Sequence, residues 1–219
     1  MRLVVILKIW SVSCLTIILF LFFSCNSDDK DKDLLYLDSL DNILADKPEA
    51  ALDNLMKIDI RDLSQYNKAY FTLLQTIALD KTFHDFTSDS AINHSVKTFS
   101  YYRVHHPRQY ARALMYQGLV RYRMGTINNN AYQPIKDAVT ILESLPCKDL
   151  HNLYLGYYYL GILNYKNNNL QISDAYFKHA LNIAEKIQNK NYIFTINWNF
   201  FWNAIRASKY AQAKIYLDV

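Results

Sequence analysis

Six histidines, three cysteines and twenty carboxylates are the groups of this 219-residue chain best suited to chemistry. Their spacing excludes most of it. The histidines are scattered, His105 and His106 fall beside Pro107 where a loop is expected, and no H-E-x-x-H metal motif occurs. With four glycines in the chain there is no Gly-x-Ser-x-Gly elbow and no glycine-rich loop to cradle a phosphate. The carboxylates suit helix caps and exposed faces. No catalytic residue, metal or cofactor is expected.

A binding pattern recurs instead. The pairs Tyr122-Arg123, Tyr165-Lys166 and Ile205-Arg206 follow one another at intervals of 43 and 40 residues. Offsets of three or four residues share a helix face, which adds Met115, Tyr158 and Trp198, then Leu119, Ile162 and Trp202. Aromatic anchors and arginine dominate the energetics of peptide recognition. Met115, Tyr122, Arg123, Tyr158, Tyr165, Lys166, Trp198, Trp202 and Arg206 therefore form a candidate partner-binding groove. The competing reading makes the tyrosines inter-helix core and the cations a solvated rim.

Helices must position these residues. Only four glycines and four prolines interrupt the chain, and apolar residues recur at helical spacing. Residues 34–44 carry a stripe of Leu34, Leu35, Leu37, Leu40 and Ile43. Pro48 opens a helix to about residue 58, and Ser64 caps another to about 79. Ser88 or Ser90 caps a fourth to about 103, and Pro107 marks a fifth. The second half repeats itself. Gly118 is followed by Ala131, Ile135 and Ala138, and Gly161 by Ser173, Phe177 and Ala180. A weaker third copy has Phe201 at the glycine position, with Ala213 and Leu217 following. The glycine permits close packing of two helices, and the triple-asparagine turns suit left-handed helix ends.

These residues resemble the tetratricopeptide repeat (TPR), and "KPEAALDNLMKI" looks like another second helix of that repeat. The resemblance implies an all-α solenoid of antiparallel hairpins, with repeats over 107–146, 149–188 and an incomplete 190–219. A TPR-like helical region would fill 34–106. The period of 40 to 43 residues exceeds the standard 34. The whole chain is also similar to the amino-terminal part of TPR lipoproteins of Bacteroides-type bacteria, with "TLLQTIALDKTFHDFTSDSAINHSV" carrying much of the likeness. That similarity implies a longer protein of which this is the first part.

Arg2 and Lys8 precede an apolar run that ends at Phe23, the order of a secretory signal. "FFSC", a small residue before Cys25, resembles a lipobox. It implies a signal peptide over 1–24, lipidation of Cys25 and an acidic tether over 25–33; an uncleaved signal anchor is the alternative. With Cys25 lipidated and Cys14 removed, Cys147 has no disulfide partner. Residues 26–90 hold 7 basic and 14 acidic side chains, whereas 91–219 hold 15 and 6. Without a dense cationic stripe, nucleic acid is not the expected partner. The expectation is an exported outer-membrane lipoprotein, facing periplasm or cell surface, that docks a protein or peptide without catalysis. The sensor half of a truncated signalling protein and a glycan-capture lipoprotein are the rival readings.

Overall fold

The computed structural model describes residues 27–125 and 130–216. Among them it forms ten helices and no strand. The first four are α1 (Ser27–Leu44), α2 (Pro48–Leu55), α3 (Gln65–Lys81) and α4 (Ser90–Tyr102). Then come α5 (Pro107–Arg123), α6 (Tyr132–Ser144), α7 (Leu150–Lys166) and α8 (Leu170–Lys186), and last α9 (Lys190–Arg206) and α10 (Tyr210–Ile215). Each helix packs on its successor, making five hairpins, α1/α2 to α9/α10. Odd helices also touch the next odd helix from α1 through α7, so they form a row with the even helices behind it.

The helices α3, α5, α7 and α9 have 17 residues each. They start at residues 65, 107, 150 and 190, steps of 42, 43 and 40. Hairpin α3/α4 thus keeps the step first read only from residue 107 onward.

Local chemistry sets these limits. Ser64 Oγ accepts the Asn67 N–H at 3.1 Å, Asp149 Oδ1 the Asn152 N–H at 3.2 Å, and Asn189 Oδ1 the Tyr192 N–H at 3.1 Å. Pro48 and Pro107 occupy first turns, where no N–H is needed. The start of α4 differs from expectation. Asp89 is the capping position, its side chain makes no capping bond, and Ser88 Oγ accepts the Ser90 N–H instead. Helix α1 also begins earlier than expected, at Ser27, inside the run read as a tether.

Left-handed residues close the helices at regular places. Phe83, Gly125, Asn168, Gln188 and Ser208 have φ between +54° and +65° and follow α3, α5, α7, α8 and α9. After four of them the next N–H turns back into the last helical turn, as His84 N–H does to Leu79 O (2.9 Å) and Lys209 N–H to Ala204 O (2.9 Å). Asn168 fulfils the expected asparagine turn, and Gly125 is left-handed after α5, while Asn128 and Asn129 of the first triple lie outside the described residues.

The repeated glycines are close-packing points. A Cβ on Gly118 would lie 2.7 Å from Ala131 O and closer still to Ile135; one on Gly161 would meet the Phe177 ring. Ser173 Oγ donates to Gly161 O at 2.9 Å in the same junction. A continuous core runs from Leu37 through Phe99, Met115, Ile135 and Phe177 to Phe200.

Candidate binding site

The three recurring cations end their helices, where the macrodipole favours positive charge. Each also reaches back to the preceding odd helix. Arg123 Nε lies 3.0 Å from Asp80 Oδ1 of α3. Lys166 Nζ sits 4.3 Å from the Tyr122 ring centroid, and the Arg206 guanidinium 4.8 Å from that of Tyr165. Arg206 Nη1 also donates to Tyr165 O at 2.9 Å. One rule covers all three: a terminal cation rests on the residue just before the previous helix's terminal cation. Asp80-Lys81 therefore belongs to the series Tyr122-Arg123, Tyr165-Lys166, Ile205-Arg206. Sequence reasoning missed it because the first receiving residue is a carboxylate and not an aromatic ring.

The nine groove candidates do not line one open groove. Met115 is fully buried and packs on α7, where a Cβ on Gly156 would lie 2.7 Å from its Cε; Leu119 is buried too. These two are corrections to the expected surface, because the helix face they share is the one that α7 covers. Tyr122, Tyr158 and Tyr165 are half-buried in the junctions between odd helices. Tyr122 meets Tyr159 edge-on at 5.4 Å, and Tyr158 meets Tyr159 at 5.1 Å. Arg123, Lys166 and Arg206 stay exposed at the junction rims. Trp198 and Trp202 are exposed on α9. Cys25 lies outside the described residues.

A cleft of about 370 Å³ opens on the odd-helix side, toward the amino-terminal ends of α5, α7 and α9; a space of about 420 Å³ lies elsewhere, between α8, α9 and α10. The 370 Å³ cleft takes side chains from all five odd helices, among them Asp80, Lys81, Arg108, Tyr116, His151 and Tyr192. The cleft shared by five helices is the better candidate, because more elements of the fold position its lining.

Its walls are held by ion pairs. Arg112 grips Asp41 through both terminal nitrogens, at 2.5 and 2.6 Å. The Tyr70 hydroxyl lies 2.9 Å from Asp41 Oδ2 and 2.9 Å from Asp38 Oδ1. One carboxylate thereby ties α1 to α3 and α5. Burial pushes the Asp41 carboxyl up, but the Arg112 hydrogen bonds and charge, with Tyr70, outweigh it and hold the group below the usual range. Arg112 Nε is buried without a partner. Arg108 Nε pairs with Asp149 Oδ2 at 2.7 Å, the same carboxylate that caps α7. Burial raises the Asp149 carboxyl, while Asn152 and Arg108 draw it lower and prevail.

Charges in the cleft are thus largely matched in pairs, and the ring faces and amides between them suit a polar segment with aromatic or apolar side chains. Tyr192 stacks on Tyr154 at 3.8 Å, with His151 edge-on at 6.2 Å. Among the described residues no three His, Cys, Asp or Glu side chains are grouped to hold a metal ion, and no helix is long and apolar enough to cross a membrane. Cys147 is exposed between α6 and α7. Comparisons with family models, with curated proteins and with solved structures find no match to the chain.

Proposed function

We propose that this chain is a TPR-like, non-catalytic helical-repeat lipoprotein that holds a segment of another protein against its odd-helix face. The observation that carries the reading is the cleft to which all five odd helices contribute. Ligand sites are concave surfaces that combine placed polar groups with apolar ones; this cleft is weighted to the polar side, with nine of its fifteen lining residues polar or charged and six aliphatic or aromatic. The recurring cations support it indirectly, since they fasten successive odd helices and so fix the spacing of the face a partner meets. Cys25, following its apolar run, would anchor the molecule to the outer membrane.

Site-specific photo-crosslinking tests the docking face. A photoreactive residue at His151 or Lys81, both in the cleft, should give a discrete protein adduct in the producing cell. The same residue at the exposed Lys178 of even helix α8 should give none. Equal adducts from all three positions, or none from the cleft, would sink the proposal. Separately, fatty-acid labelling should be lost in Cys25→Ala; retained labelling would remove the anchor and leave the docking face untouched.

A further inference from the structure

The docking cleft has its carboxylates engaged and some of its donors idle. Helix α5 has four arginines and no acidic residue. Each arginine meets a carboxylate from elsewhere in the chain: Arg108 with Asp149, Arg112 with Asp41, Arg121 with Asp89 and Arg123 with Asp80. Asp41, Asp80 and Asp149 are the acidic residues of the cleft lining, so each already has its cation.

The donors are not all used. Arg108, Arg112 and Tyr116 follow at intervals of four along α5 and share the face that lines the cleft. Arg112 and Tyr116 are 6% and 4% exposed. Arg112 Nε has no acceptor, and the Tyr116 hydroxyl has no hydrogen-bond partner among the described residues. Burial, and after it the Asp80 charge, pushes that hydroxyl well above its usual pKa, so it keeps a proton to donate. Lys81 of α3 enters the same cleft, exposed and with no carboxylate in reach among the described residues. The terminal cations of α5, α7 and α9 rest on the previous odd helix. The last turn of α1 has no cation, so the series gives Lys81 no residue to rest on.

A buried polar group without a partner is costly, and idle donors beside one unmatched positive charge call for an anionic acceptor. We propose that the segment held in this cleft presents an Asp or Glu side chain, its carboxylate accepting from the Tyr116 hydroxyl and pairing with Lys81. This rests on the docking reading above and names what the site selects. A carboxylate fits better than a neutral amide, because nothing else in the cleft balances Lys81. A side chain fits better than a chain terminus: all five odd helices wall the cleft, and the exposed amide of Asn42 at its edge suits the main chain of a segment running past.

A randomised pool of short peptides, blocked at both ends and retained on the purified full chain, reads the selection. Asp or Glu should be enriched about tenfold at one position, the scale of a charge-assisted hydrogen bond. Lys81→Glu, a change at an exposed position, should exchange that enrichment for Lys and Arg. Tyr116→Phe keeps the ring and should lower the acidic enrichment several-fold, with far-UV helicity unchanged. Lys178→Glu on the even helix α8 should leave the selection as it was. Retained peptides without an acidic preference, or no retained peptide, overturn the inference; the His151 adduct in cells then shows whether the docking reading stands. Acidic enrichment that survives both cleft substitutions, or that arises only with unblocked carboxyl ends, overturns the inference as well.

Discussion

Asp41 joins three helices through a single side chain. Its two oxygens receive Arg112 and the Tyr70 hydroxyl, so its ionised form is held by groups from two other helices. A carboxyl whose folded pKa is depressed adds stability above its unfolded value of about 3.9, and loses it as pH falls through the folded value. Unfolding free energy should therefore be flat down to about pH 5 and fall below about pH 4. Asp41→Asn should cost about 3–5 kcal/mol at neutral pH, because Arg112 is left buried without its counter-ion, and should flatten the acid limb. Urea titrations across pH check both effects; an unchanged acid limb would locate the sensitivity elsewhere. At the rims the energies are smaller. Lys166→Ala should cost about 0.5–1 kcal/mol, the range of an exposed cation–π contact, and a cycle with Tyr122→Leu should assign most of that loss to the pair.

Helix ends and helix contacts decide the elements. Gln188 and Ser208 sit at φ +54° and +58°, where a Cβ costs about 1–2 kcal/mol. Gln188→Gly and Ser208→Gly should each raise stability by about 0.5–1 kcal/mol, once the greater freedom of glycine in the unfolded chain is subtracted. Gly118→Ala should go the other way by about 1–3 kcal/mol, since the new Cβ strikes backbone at Ala131. Chemical denaturation of the three variants ranks them. This part of the molecule was legible in the sequence: the two glycines, their Ala131–Ile135 and Ser173–Phe177 partners and the Ser64 cap all carry local signals. The ring faces that receive Lys166 and Arg206 were not legible. Their pairing depends on the register between successive odd helices, over 44 and 41 residues, and no local pattern encodes it. Met115 went astray for a related reason: an exposed-looking helix position is buried once the next odd helix arrives.

At the scale of the molecule, stability should be graded. Hairpins in such a stack are held chiefly by their neighbours, and α10 has six residues against 17 in α8. Amide exchange should be slower in α3 to α8, which have hairpins on both sides, than in the six-residue α10. Uniform protection across the five hairpins would refute this gradient and show one cooperative unit.

The Asp41 node also bears on how the molecule yields to force. Its partner Arg112 is 71 residues away and belongs to the third hairpin, with Tyr70 of the second hairpin between them. A load entering at the amino-terminal end would shear these three hairpins together. Tension on α9 and α10 meets only neighbouring contacts and would peel them one at a time. The molecule should therefore be mechanically polar, stiffer across α1, α3 and α5 than toward α10.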